Sequence, residues 1–85
     1  MYYVYILQSF KTEKLYIGHT DNLTRRVEEH NTGWGSGYTR QNGPWTLVYS
    51  ESHPDRSSAT RRERYLKSTS GSQEKKKLAG VFKVK

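Results

Sequence analysis

Tyr2-Tyr3-Val4-Tyr5-Ile6-Leu7-Gln8, a polar break at Lys11-Thr12-Glu13-Lys14, and then Leu15-Tyr16-Ile17-Gly18 decide the fold of this chain. The first run carries apolar or aromatic side chains at odd and even positions alike, so a strand here is covered on both faces and belongs at the centre of a sheet. The break is short enough for a tight hairpin, and the second run is its partner strand, with Gly18 at the strand end. Opposed residues of an antiparallel pair share a face, so Tyr5 and Tyr16 do so only if paired residue numbers differ in parity. That requires a loop with an even number of residues, and Lys11–Lys14, with Phe10 opposite Leu15, is the expected one.

Outward from the hairpin, Thr20 or Asp21 supplies an N-cap, and Leu23, Val27 and His30 recur at helical spacing until Thr32-Gly33. Residues 32–44 form a glycine-rich loop that also carries Trp34, Tyr38 and Arg40. Trp45, Leu47 and Tyr49 alternate as a third strand, and Pro54-Asp55 with Ser57-Ser58 opens a second helix running to about Lys67. Ser70-Gly71-Ser72 breaks it before a charged helix over 73–79. The expected architecture is α+β: strands near 2–8, 15–18 and 45–50 in one three-stranded antiparallel sheet flanked by helices near 21–31 and 57–67. The order is ββαβα with an extra C-terminal helix.

Eighty-five residues with no cysteine are read as one domain, 1–85, with a modest core and no disulfide to staple it. No apolar run approaches the roughly 20 residues that span a bilayer, and Met1-Tyr2-Tyr3-Val4 lacks the charged start of a secretory signal. A cytoplasmic location with no membrane partner is expected. The net charge is +7, and it is unevenly placed: residues 1–55 hold five basic and six acidic side chains, residues 56–85 ten and two. A polyanion is the natural partner of such a segment, because each neutralised phosphate releases condensed counterions. The competing reading is a solvated helical surface on a basic protein.

Three polar residues fall where the helices turn inward. Arg26 and His30 lie four apart in the sector of Leu23 and Val27, at the rim of the buried face. Glu63 lies between Ala59 and Leu66, where burial of a carboxylate demands a cationic partner such as a metal ion. Each has a simpler alternative: Arg26 paired with Glu29, His30 a satisfied helix-end histidine, Glu63 an intrahelical partner of Arg62 or Lys67. The combination with a tyrosine-rich strand pair and a strand-end glycine is harder to assign to chance.

These residues resemble the GIY-YIG nuclease superfamily, especially its small stand-alone members. Tyr3-Val4-Tyr5 stands at the first signature triplet, with Tyr3 in place of its glycine, and Tyr16-Ile17-Gly18 is the second triplet letter for letter. Arg26 lies eight residues after the glycine, His30 four further on, and Glu63 occupies an Ala-x-x-x-Glu-x-x-x-Lys pattern. The likeness covers roughly residues 2–70, and no asparagine follows Asn42, although several family nucleases carry one beyond the glutamate.

The resemblance implies a metal-dependent endonuclease that hydrolyses phosphodiester bonds, with Tyr5, Tyr16, Arg26, His30 and Glu63 as catalytic residues, and Arg26, His30 and Glu63 are expected to converge on the face that carries Tyr5, Tyr16 and Gly18. Glu63 would hold one divalent ion, Mg²⁺ or Mn²⁺, while Arg26 offsets charge on the phosphate. Tyr16 or Tyr5 is the candidate base, and His19, where relatives often have lysine, either assists Tyr16 or is a solvent-facing loop histidine. Gly18 would let backbone approach a phosphate or metal. Nucleic acid, DNA ahead of RNA, would meet Arg61, Arg64, Lys75, Lys76 and Lys77, with Arg40 and the aromatics of the glycine-rich loop beside them. Trp34 and Tyr38 would stack on unpaired bases or else cap the core. No element with a base-reading code is visible, so recognition of shape or ends is expected over recognition of sequence. The runner-up is a nucleic-acid-binding module of the same fold with weak or no catalysis.

Overall fold

A computed structural model describes residues 1–32 and 43–80. Its elements run β1 (Tyr2–Ser9), β2 (Leu15–Thr20), α1 (Leu23–Thr32), β3 (Trp45–His53), α2 (Arg56–Lys67) and α3 (Ser72–Ala79). The three strands form one antiparallel sheet in the order β2-β1-β3. The strand with apolar side chains at both odd and even positions is therefore the central one, and Val4, Tyr5, Ile6 and Leu7 are all at most 1% exposed. No helix among the described residues is long and apolar enough to cross a membrane.

Alternation along β1 builds two cores. Val4 and Ile6 join Ile17 of β2 with Ala59, Leu66 and Ala79 from α2 and α3. Tyr5 and Leu7 join Trp45 of β3 on the opposite face, where Tyr16, Leu23 and Val27 pack against them. So α1 covers one face of the sheet and α2 with α3 covers the other. A shift in the β1–β3 register between Ile6 and Leu7 skips Val48, which packs into the first core. Such a bulge re-aims side chains beyond it, and here Trp45 ends up opposite Ser9 on the α1 face.

The hairpin keeps the expected parity with a different loop. Pairs run from Tyr3↔Thr20 through Tyr5↔Gly18 to Gln8↔Leu15, each joining an odd to an even number. Four residues, Phe10–Glu13, connect Ser9 to Lys14, one position earlier than Lys11–Lys14, and Leu15 faces Gln8 in place of Phe10. Ser9 explains the offset. Its N–H donates to the Lys14 carbonyl at 2.9 Å, and its hydroxyl accepts from the N–H groups of Lys11 and Thr12, both at 3.0 Å. Glu13 closes the loop with φ at +64°, a left-handed conformation that the composition does not announce.

The helix starts follow side-chain chemistry. Asn22, not Thr20 or Asp21, caps α1, its Oδ1 accepting the Arg25 N–H at 3.1 Å. Asp55 caps α2 by accepting the Ser58 N–H at 2.8 Å. Gly71 separates α2 from α3 because a Cβ there would lie 2.8 Å from the Tyr65 carbonyl carbon. A tie from Arg62 locks the second layer: Nε donates to Glu51 of β3 at 2.9 Å and Nη2 to Glu74 of α3 at 2.7 Å. Glu51 also accepts from Tyr49 Oη and His53 Nε2, both at 2.6 Å.

Candidate functional site

The site grows out of the β1–β2 pairing. Tyr5, Tyr16 and Gly18 lie on the α1 face, with the two tyrosine ring centroids 6.5 Å apart. One helical turn separates Arg26 from His30, so α1 lowers both toward this face. His30 is 1% exposed, and a 3.0 Å hydrogen bond joins its Nε2 to Tyr5 Oη. Its ring also meets Tyr16 edge-on at 4.9 Å, while Nδ1 is buried with no hydrogen-bond partner among the described residues.

Burial governs the protonation of this cluster. It drives the His30 pKa down to about 4, with the positive charge of Arg26 acting in the same direction, so the imidazole is neutral at pH 7. Burial likewise pushes Tyr5 up to about 12 although Arg26 pulls it back, so Tyr5 is a neutral phenol. Tyr16 is half-buried on the edge strand and is the tyrosine of the pair that solvent reaches.

Gly18 sits inside β2, which continues to Thr20, not at the strand end. The space left by its missing side chain belongs to Tyr5: a Cβ would fall 2.7 Å from Tyr5 Cζ and closer still to Oη. Packing of the neighbouring phenol thus gives this glycine a structural reason of its own.

Glu63 does not share the α1 face. It stands on α2, and its Oε1 accepts from Nδ1 of His19, the β2 residue opposite Val4 and therefore on the α2 face. Lys67 Nζ meets Oε2 at 2.6 Å. Burial alone would raise the Glu63 pKa, but the bonds from His19 and Lys67 outweigh it and hold the carboxylate below its usual range. His19, Thr60, Glu63, Arg64 and Lys67 line an open recess of about 220 Å³. The two half-sites lie on either side of the edge strand β2, and Glu63 is within electrostatic reach of Tyr5, whose ionisation it opposes.

The simpler pairings weighed from sequence are present too, since Arg26 Nη1 donates to Glu29 Oε1 at 2.9 Å and Lys67 holds Glu63. Arg61, Arg64, Lys76 and Lys77 are exposed and Lys75 is half-buried. Trp34, Tyr38 and Arg40 lie outside the described residues. Among the described residues no three His, Asp or Glu side chains converge as a metal cage. A single ionised carboxylate still fits an Mg²⁺-type ion, which keeps several waters and takes its remaining ligands from substrate phosphates.

With Tyr5 and Tyr16 on adjacent strands, Gly18 beneath the first, and Arg26, His30 and Glu63 around the β2 edge, the comparison with known proteins agrees. The family model described as the GIY-YIG catalytic domain matches residues 1–77. The chain belongs to the GIY-YIG family. It is 49% identical over 67 residues to a UPF0213 protein of Clostridium perfringens, a match covering 79% of this chain and 71% of the relative. A UPF0213 protein of Natronomonas pharaonis is 42% identical over 78 residues, covering 92% and 91%. The solution NMR structure of a UPF0213 protein from Bacillus halodurans matches with a TM-score of 0.54 at 35% identity, covering 96% of this chain and 86% of that one. GIY-YIG domains form a nuclease superfamily, which makes nucleic acid the substrate class that the family implies.

Within this GIY-YIG domain, sequence reasoning passed over Asn31. Its Oδ1 accepts the Trp45 N–H at 2.6 Å and its Nδ2 donates to the Trp45 carbonyl at 3.0 Å, fixing the start of β3 to the end of the helix that carries His30. A polar residue at a helix end next to a candidate histidine was the available signal. Thr60, one helical turn before Glu63, was likewise passed over, and Arg64, expected as a phosphate contact, lines the same recess.

Proposed function

We propose that this protein is a metal-dependent endonuclease that hydrolyses phosphodiester bonds, selecting its substrate by shape. The observation that carries the reading is the placement of an ionised, half-buried carboxylate, Glu63, across one edge strand from a guanidinium, Arg26, and two tyrosines. Glu63 would hold the divalent ion, which when bound polarises the phosphate and stabilises the leaving oxyanion. Arg26 sits at the rim of the α1 face, where it can offset charge on the equatorial phosphate oxygens as the new P–O bond forms. Tyr16, reached by solvent, is positioned to take the proton of the attacking water as a phenolate, once its own proton has passed to solvent with the positive charge of Arg26 and the metal nearby to support the anion. Tyr5 is a positioning residue: its hydroxyl is buried between His30 and Gly18, and its high pKa keeps the proton on it. Neutral His30 holds Tyr5 through Nε2 and supports Tyr16 through its ring.

The substrate is nucleic acid lying along the β2 edge, with Arg61 and Arg64 on one flank. DNA is taken ahead of RNA, and the test includes both. A cleavage panel of single-stranded, duplex, flapped and branched DNA and RNA with Mg²⁺ or Mn²⁺ tests the proposal. The expected result is cation-dependent cleavage that Glu63→Gln abolishes while binding persists. Binding without cation-dependent cleavage of any substrate would select the binding-module reading.

A further inference from the structure

Both oxygens of the Glu63 carboxylate already have partners, His19 on Oε1 and Lys67 on Oε2. We propose that Lys67 is an exchangeable counter-ion: a divalent cation displaces it from Glu63 and a nucleic-acid phosphate receives it, so that metal and nucleic acid bind cooperatively. The inference rests on the reading of Glu63 as the metal-holding residue.

The two partners of Glu63 differ in how readily they can leave. His19 is held by its place in β2 and its side chain is 29% exposed, whereas Lys67 is on the same helix as Glu63 and its side chain is 52% exposed. A lysine ammonium is a point charge on a flexible four-carbon stem, so it can swing about its own Cα without disturbing the helix. The carboxylate, at 17%, lies inside the recess while the lysine head stands at its mouth. Oε2 is therefore the exchangeable oxygen, and Lys67 occupies the position from which a cation would approach it.

Charge makes the exchange obligatory. An incoming divalent ion next to an ammonium at salt-bridge distance is repelled, which weakens metal binding for as long as Lys67 remains. Arg64 and Lys67 line the same recess as Glu63, so before any metal enters the recess presents two cations and one carboxylate. That balance attracts a phosphate at the mouth. A phosphate that draws Lys67 outward exposes Oε2 to the metal, and by linkage each ligand then raises the affinity of the other by the same factor.

The test is Mn²⁺ binding to the full chain, read by electron paramagnetic resonance of the free ion, alone and with a short duplex of phosphorothioate DNA. Wild type is compared with Lys67→Gln, Lys67→Arg and Glu63→Gln. Without DNA, Lys67→Gln should bind Mn²⁺ about three- to tenfold more tightly than wild type. The factor by which DNA tightens Mn²⁺ binding should shrink in the same variant, and Lys67→Arg should keep both wild-type values. Unchanged or weaker Mn²⁺ binding in Lys67→Gln, with Glu63-dependent binding intact in wild type, overturns the inference alone. Mn²⁺ binding that survives Glu63→Gln overturns the metal assignment and the inference together.

Discussion

The phenol of Tyr5 lies against the backbone of Gly18, its ladder partner, with less room than a single methyl group needs: a Cβ at position 18 would fall 2.7 Å from Tyr5 Cζ. Tyr5 is buried and cannot step aside cheaply, so Gly18→Ala should push it off His30 and cost about 2 kcal/mol of stability. Tyr5→Phe removes the hydroxyl that makes the closest contact. The cost of Gly18→Ala should therefore be smaller in a Tyr5→Phe background than in wild type. Urea unfolding of the four proteins measures this coupling, and simple additivity would show that the two residues do not share the space.

Much of this geometry is legible in the sequence. A strand with apolar side chains at odd and even positions alike had to be central, and an even-numbered hairpin loop brings Tyr5, Tyr16 and Gly18 to one face. The loop itself was misplaced by one residue because its closure depends on the Ser9 hydroxyl and on Glu13 at positive φ, neither of which a turn composition reveals. Glu63 was expected beside Arg26 and His30 and lies instead beyond the β2 edge. Helical spacing established that Glu63 turns inward with Ala59 and Leu66, but not which face of the sheet α2 would cover. The β1 alternation decides that, since Val4 and Ile6 need a helix as much as Tyr5 and Leu7 do.

His30 should make stability pH-dependent in a defined window. The folded protein holds its pKa at about 4, against an ordinary 6.5. Between those values the unfolded chain binds a proton that the folded protein does not, so stability is full above pH 6.5 and falls as pH drops toward 4. The loss from pH 7 to pH 5 should be about 2 kcal/mol. Glu51 and Glu63, both held below their usual range, keep their contributions until the pH passes below the ordinary carboxylate value of 4.5. Urea midpoints at pH 7 and pH 5 should therefore separate in wild type and converge in His30→Gln.

Glu29 occupies the guanidinium that the mechanism assigns to the phosphate. Arg26 Nη1 donates to it at 2.9 Å, and Arg25 Nε stands 3.6 Å from its other oxygen. Glu29→Gln removes one negative charge and releases Arg26, while Arg25 keeps Asp21 at 3.6 Å, at little cost to stability, because such pairs on part-exposed helix surfaces contribute only a few tenths of a kcal/mol. Nucleic-acid affinity without divalent ions should rise several-fold at low salt. The slope of log Kd against log salt should steepen by about one phosphate contact. Fluorescence anisotropy across a salt series reads both, and an unchanged slope would remove Arg26 from the phosphate.

Arg61, Arg62 and Arg64 are equivalent by charge, yet the structure divides them. Arg62 is held between Glu51 and Glu74 at 2.9 and 2.7 Å, and its side chain is 24% exposed. Removing it leaves Glu51 with Tyr49 and His53 but no guanidinium, and unties α3, so Arg62→Ala should cost about 2 kcal/mol. The salt slope of binding should not change, because this guanidinium has no charge to spare for phosphate. Arg64 is exposed and lines the recess that contains Glu63. Arg64→Ala should leave the unfolding midpoint within about 0.5 kcal/mol of wild type, weaken binding, and reduce the salt slope by about one. A reduced salt slope in Arg62→Ala would mean that nucleic acid reaches α2 by the other side of the helix, and a large stability loss in Arg64→Ala would make Arg64 a structural residue.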